Sequence, residues 1–253
     1  MASVLVEAVE AYEAPRQSLL EVVQEKLAAK GQSAHGPGGI PARVVLACHN
    51  GERVTSKDMV AGFWEELLGY VREELGGGPE TGIVLVYPDA TLVVIEASTR
   101  QVMDVLRKLD EVLVEAAPEE RMFARVRVCA STEDIPRAAY PGFEAAFVNS
   151  ATAEQYEAEE ADNLIKSTSE VNIAMLKLGA KLGGMGRGET EQVLRNLTGA
   201  FPDLPVMQSL MGLLLAEDGA PTLAEFLDIY DAALDIDLDS ENVWPLPPPL
   251  KFL

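Results

Sequence analysis

Residues suited to metal or thiol chemistry are scarce: 253 residues include only two cysteines, Cys48 and Cys129, and two histidines, His35 and His49. Two thiols are too few for a disulfide framework and fit a reducing compartment. Basic residues are also short, with 20 Lys and Arg against 41 Asp and Glu, and the resulting net charge of −21 repels phosphate backbones and anionic lipid alike. Neither nucleic acid nor a membrane is expected as a partner. No apolar run reaches the ~20 residues that a membrane span requires. Residues 1–14 carry Glu7, Glu10 and Glu13 with no basic residue, a pattern of neither a signal peptide nor a transit peptide. The expectation is a soluble protein of the cytoplasm.

What is present suits a folded chain. Apolar residues make up 48% and charged residues 24%, too apolar for wholesale disorder and enough for a sizeable core. The acidic excess is spread through helical segments (Glu65, Glu66, Glu73, Glu74, Glu157, Glu159, Glu160) and reads as a solvated surface. Residues 3–29 read as helix interrupted by Pro15, with an apolar stripe at Leu19, Leu20, Val22, Val23 and Leu27. Residues 31–41 hold four glycines and two prolines, the composition of a linker. This divides the chain into residues 1–41, a core domain at 42–149, and a helical region at 150–253 with a proline-rich tail.

Within the core, residues 43–48 (RVVLAC) form a short β-branched run suited to a central strand. Thr55 or Ser56 caps a helix in which Met59, Val60, Phe63, Trp64, Leu67, Val71 and Leu75 recur at three and four residue spacing, stopped by Gly76 to Gly78. Residues 83–87 and 91–95 are β-rich and joined across Pro88-Asp89-Ala90, which predicts an antiparallel hairpin. Ser98 with Gln101 makes a capping-box signature for a helix carrying Val102, Val105, Leu106, Leu109 and Leu113, ended by Pro118. Residues 122–130 alternate, with Met122, Ala124, Val126 and Val128 on one face and Arg125 and Arg127 on the other, as in a half-covered strand.

The order is that of a ferredoxin-like α+β fold: a β-α-β-β-α-β sheet with two helices on one face. The second face is left either as a binding surface or to be covered by the later chain. There, residues 143–148 suggest a further strand, 154–182 a long helix, 183–188 a flexible break, and 204–216 and 222–233 shorter helices.

Candidate chemistry is thin. Cys48 and His49 are strand neighbours and point to opposite faces, so they cannot converge on one ion, and His35 lies in the linker. Asp235, Asp237 and Asp239 open like a calcium loop, but Ser240 takes the glycine position and Leu246 the place of the closing glutamate, so a solvated acidic turn is the plainer reading. Residues 184–188 (GMGRG) lack a preceding strand and the spacing of a phosphate cradle. The tail is a preformed extended segment able to dock on an aromatic groove, on this chain or on a fixed neighbour. Its candidate contacts are Trp244, Pro245, Pro247, Pro248 and Phe252.

The run Thr81-Gly82-Ile83-Val84-Leu85-Val86, followed by residues 91–96 (TLVVIE), resembles the central hairpin of BLUF flavin-photoreceptor domains, themselves ferredoxin-like. Flavin photochemistry in that family uses a first-strand tyrosine, an asparagine before the TG pair and a third-strand glutamine. Residues 43–48 hold no tyrosine, residues 71–80 no asparagine, and Val93 occupies the glutamine position, so no flavin or other cofactor is expected. A fuller likeness is to the testis-expressed protein forty-seven family, which carries a degenerate BLUF-like domain. It rests on Trp64-Glu65-Glu66-Leu67 with residues 81–88 (TGIVLVYP), and on 226–230 (FLDIY) with 238–245 (LDSENVWP).

That resemblance implies a non-catalytic structural or assembly component of the motile cilium or flagellar axoneme, within the cytoskeleton. Its implied partners are other axonemal proteins in a large complex, such as the central apparatus or a radial spoke. So acidic a chain should attach through more basic neighbours. The alternatives are a sensor holding a flavin or nucleotide between the two helices, and a calcium-sensitive adaptor through Asp235, Asp237 and Asp239.

Overall fold

The computed structural model describes residues 41–76, 78–150, 155–158 and 160–231, and within residues 1–40 only positions 22, 25, 26 and 29. The N-terminal linker, the aspartate run at 235–239 and the tail residues Trp244, Pro245, Pro247, Pro248 and Phe252 lie outside the described residues. So does most of the helix expected at 3–29.

Strand β1 (Pro41–Asn50) leads through an extended turn to α1 (Lys57–Glu74), whose N-terminus is capped by the Ser56 hydroxyl accepting from the Met59 N–H at 3.3 Å. Strands β2 (Thr81–Val86) and β3 (Ala90–Ser98) form the expected hairpin, closed by the Tyr87 N–H donating to the Ala90 carbonyl at 2.8 Å. Helix α2 (Thr99–Glu115) and a 3-10 turn (Pro118–Glu120) lead into β4 (Phe123–Thr132), then β5 (Phe143–Phe147). The remaining helices are α3 (Ala161–Leu182), α4 (Arg187–Arg195), α5 (Leu197–Ala200), α6 (Met207–Leu215) and α7 (Leu223–Tyr230).

The sheet runs β4-β1-β3-β2-β5. Its first four strands are antiparallel in the ferredoxin-like order, and β5 adds itself parallel to β2, pairing Gly82 through Val86 with Phe143 through Phe147. The chain is therefore α+β, with a ferredoxin-like core and helical C-terminal additions. Gly82 is held at φ +150°, and a Cβ there would collide with the Val94 carbonyl of β3, so the close pairing of this hairpin requires glycine.

One sheet face presents Val44, Leu46, Cys48, Val84, Val93 and Ile95 to Val60, Trp64, Leu67, Leu68 and Val71 of α1 and Val102, Val105, Leu106 and Leu109 of α2. Helix α2 lies over β1 and β3, with α1 on its β2 side and α7 on its β4 side. Trp64 and Phe63 meet Phe123 with ring centroids 6.0 and 5.5 Å apart. The opposite face, Val45, Ala47, Ile83, Leu85, Leu92 and Val94, is buried under Val171, Met175 and Leu178 of α3 and Met207, Leu210, Met211 and Leu214 of α6. That face is not left open for a partner: the later chain closes it, because Val45, Ala47, Ile83, Leu85, Leu92 and Val94 would be costly to leave in water.

Several sequence readings need correction. The Ser98 hydroxyl caps α2 through the Gln101 N–H, but the reciprocal half of the capping box does not form. The Gln101 amide instead bridges Gly78 in both directions, at 2.7 and 3.1 Å, and reaches Glu80 at 3.3 Å. Arg127 is buried, not on an open face, because α6 and the loop after it cover that side. The long helix starts at Ala161, since residues 155–158 and 160 are not helical. The glycine-rich break is a tight turn, with α4 already under way from Arg187. Gly183 there lies against the Ala139 carbonyl, too close for any Cβ. Helix α6 starts at Met207, three positions later than its apolar run.

Candidate functional site

The groups that sequence reading singled out for chemistry sit in surroundings that quiet them. Cys48 faces the α1 and α2 side and Cys129 the α3 and α6 side, so the two thiols on neighbouring strands are separated by the sheet itself. Burial pushes the Cys48 thiol well above its ordinary value, with Cys129 adding to the rise, and pushes Cys129 up to about 12. Both stay protonated at neutral pH and are poor nucleophiles. Burial lowers the His49 imidazole, a shift opposed by Asp89 and reinforced by Arg125. Among the described residues, no three His, Cys, Asp or Glu side chains gather where they could hold a metal ion. No helix among them is long and apolar enough to cross a membrane.

Two buried charges, Glu96 and Arg127, are tied to backbone. Glu96, the glutamate of the TLVVIE run, accepts from Arg43 Nε at 2.7 Å, from the Thr81 hydroxyl at 2.8 Å and from the N–H groups of Ala139 and Tyr140 at 2.9 and 3.1 Å. It knits β1, β2, β3 and the loop after β4 into one joint. Tyr140, in turn, donates to the Met175 carbonyl of α3 at 2.6 Å. Arg127 donates to the carbonyls of Ala216 and Ala220, and Arg125 to that of Leu214 at 2.9 Å, so two arginines satisfy carbonyls at and just beyond the C-terminus of α6. Beside them the Val128 N–H donates to Pro221 at 2.9 Å and Arg127 bridges Thr222, which covers the outer edge of β4. Sequence alternation found the arginines but not their acceptors, which lie some ninety positions away.

Beneath α1 and α2, against the sheet, the described residues leave no space for a flavin. The space is filled by the apolar side chains of both helices, and Val44, Leu46, Cys48, Val93 and Ile95 rise into it from the sheet with no solvent exposure. The buried Trp64 indole N–H there has no partner among the described residues. The contact-capable features are on the outside. A groove of about 870 Å3 runs between the outer sides of α1 and α2, lined by Met59, Phe63, Tyr70, Lys108, Val112 and Met122, among others. On the other side of the molecule α3 exposes Ile165, Ile173 and Leu176, within an arc of about 80° at ~100° per residue. Val206, before α6, is exposed as well and shares a smaller cleft with Ile173. Neither surface was marked by sequence reading, although the α3 stripe could have been found from its spacing.

The chain resembles several solved structures at low sequence identity. It is similar to a bacterial light-regulated adenylyl cyclase (10% identity, covering 62% of this chain and 40% of that one, TM-score 0.34). It is also similar to the dark state of BlrB, a BLUF protein (16% identity, 42% and 72%, TM-score 0.30), and to photo-activated BlsA (12% identity, 61% and 91%, TM-score 0.30). The chain thus spans about two fifths of the cyclase's length. The family model of testis-expressed protein 47 matches residues 42–232, which takes in the sheet, both helical layers and the FLDIY stretch, and ends before residue 238. With three quarters of its length matched, this chain belongs to the testis-expressed protein 47 family.

Proposed function

We propose that the protein is a non-catalytic scaffold of the motile cilium, acting through the outer faces of its helices. The observation that carries this reading is the apolar stripe on α3: Ile165 is 79% exposed, Ile173 49% and Leu176 37%, with Val206 at 60%. Large aliphatic side chains grouped on one helix face are costly in water, and a partner surface relieves that cost. The stripe is edged by charge, with Lys166 paired to Glu170 at 3.8 Å and Lys177 to Asp203 at 3.6 Å, an apolar centre within a polar rim as at protein interfaces.

The chemistry of the interior supports the same reading. Its thiols are held protonated, and the buried Glu96 and Arg127 are engaged with backbone groups. The family's name, which refers to expression in testis, a tissue that builds flagellated cells, supports a ciliary setting. The net charge of −21 favours attachment to basic axonemal neighbours over the acidic tubulin tails. The test is co-sedimentation of the purified chain with salt-washed axonemes. Binding is expected for the wild type and is lost in Ile165→Glu/Ile173→Glu, whose melting temperature stays unchanged because both side chains already face water. A wild-type chain that remains in the supernatant would contradict the proposal.

A further inference from the structure

The geometry points to a second docking site: the groove between α1 and α2 receives a basic amphipathic helix of a partner protein. This rests on the scaffold reading and adds the chemistry of a partner. The floor is apolar and adaptable, made of Met59, Phe63 and Leu67 from α1, Val112 from α2, and Met122. Methionine and aromatic side chains re-pack around apolar anchors of varied shape. Tyr70 stands 41% exposed on the rim with the Lys108 ammonium 4.8 Å from its ring centre.

The walls carry surplus negative charge. Glu65, Glu66 and Glu120 line the groove, and Glu111 and Glu115 act on Lys108 from its own helix. Its two cations are already engaged, Lys108 with Glu111 at 2.9 Å and Arg53 with the Glu120 carbonyl at 3.3 Å. An apolar channel within acidic walls complements a helix with apolar residues at i, i+3, i+4 and i+7 and Lys or Arg around them. A helix fits better than a strand because the groove is walled by helices and offers no sheet edge to pair with.

Gly62 lines this groove, and a Cβ there would meet nothing within 4 Å; Gly69, one heptad later on α1, is equally open. Glycine inside a helix is unfavourable, and no packing among the described residues requires it at either position. Its use here is to clear the surface for a second backbone.

The test titrates the full chain into a fluorescein-labelled synthetic amphipathic peptide of Leu and Lys, ~18 residues or five helical turns long. The same peptide with Glu for Lys serves as the comparison. The lysine peptide is expected to bind one to one and to weaken with added salt, and the glutamate peptide not to bind. Gly62→Trp leaves the net charge unchanged and fills the groove, so it should weaken binding about tenfold or more without lowering the melting temperature. Equal binding of the lysine peptide by wild type and Gly62→Trp would mean adsorption to a charged surface and would overturn the inference. So would self-association abolished by Gly62→Trp, which assigns the groove to a second copy, or peptide binding that appears only after residues 244–253 are removed, which assigns it to the chain's own tail. If the wild type sediments with axonemes yet ignores the lysine peptide, the scaffold reading stands and this inference falls.

Discussion

On the sheet face covered by α1 and α2, closure is mainly apolar packing between elements that follow one another closely in sequence, Trp64, Leu68, Val105, Leu106 and Leu109 against Leu46, Val93 and Ile95, with one polar joint where Gln101 meets Gly78 and Glu80. On the face covered by α3 and α6, similar packing is pinned by buried polar joints: Glu96 to the loop at 139–140, Tyr140 to Met175, and Arg127 to the carbonyls after α6. The difference follows from how the covering segments arrive. Helices α1 and α2 each carry an apolar stripe and are joined to their strands by short turns, so apolar patterning fixes most of their seat. On the other face α6 (Met207–Leu215) is short and apolar on most sides, and patterning alone leaves its orientation open. Directional hydrogen bonds in a low-dielectric interior settle it.

The largest way to break this comparison is Glu96→Ala. It leaves Arg43 without its buried carboxylate and frees the Ala139 and Tyr140 N–H groups, so denaturant unfolding should show a loss of about 3–5 kcal/mol. Arg127→Met keeps the volume but strands the carbonyls of Ala216 and Ala220, for a loss of about 2–3 kcal/mol. Its signature is local: amide exchange should speed up in α3 and α6 while α1 and α2 keep their protection. Equal acceleration in all four helices would mean that the two faces are not closed separately.

Two smaller effects sharpen the account. Gly69→Ala should stabilise the chain by about 0.5–1 kcal/mol, read from the denaturation midpoint, because the helix gains a better former and the new Cβ meets nothing. His49 gives the weakest effect. Its imidazole is lowered in the fold by burial, so below the ordinary value of about 6.5 the unfolded chain takes up the proton more readily. Stability contributed by the neutral ring is present above that value and falls as pH drops towards the lowered one. His49→Gln should flatten the slope between about pH 7 and pH 5 in matched denaturation curves.

The first face was legible in the sequence because its signals are local. The spacing of Val60, Trp64, Leu67 and Val71, the Ser98 cap, and the turn between residues 87 and 90 each state their structure within a few positions. Gln101 was read only in part, since its amide bonds Gly78 and Glu80, more than twenty positions earlier in the chain. Arg125 and Arg127 were placed on the correct side of β4, but Arg127 is buried rather than in water, and its acceptors, the carbonyls at 216 and 220, carry no sequence signal. Register shifts in the β1 and β4 pairing, between Val45 and Leu46 and again between His49 and Asn50, interrupt the alternation read across residues 122–130. The parallel pairing of β5 with β2 was equally hidden, since partner and direction are set by the path of the intervening chain. The candidate surfaces were missed for another reason: a groove belongs to two helices at once, and neither helix alone shows it.

Crosslinking mass spectrometry on intact flagellar axonemes tests the central claim most directly. If the helix faces are the working surfaces, Lys166 and Lys177, which edge the α3 stripe, should crosslink to one and the same axonemal neighbour. A protein that washes out with detergent, with no crosslink from either lysine to an axonemal component, would contradict the account.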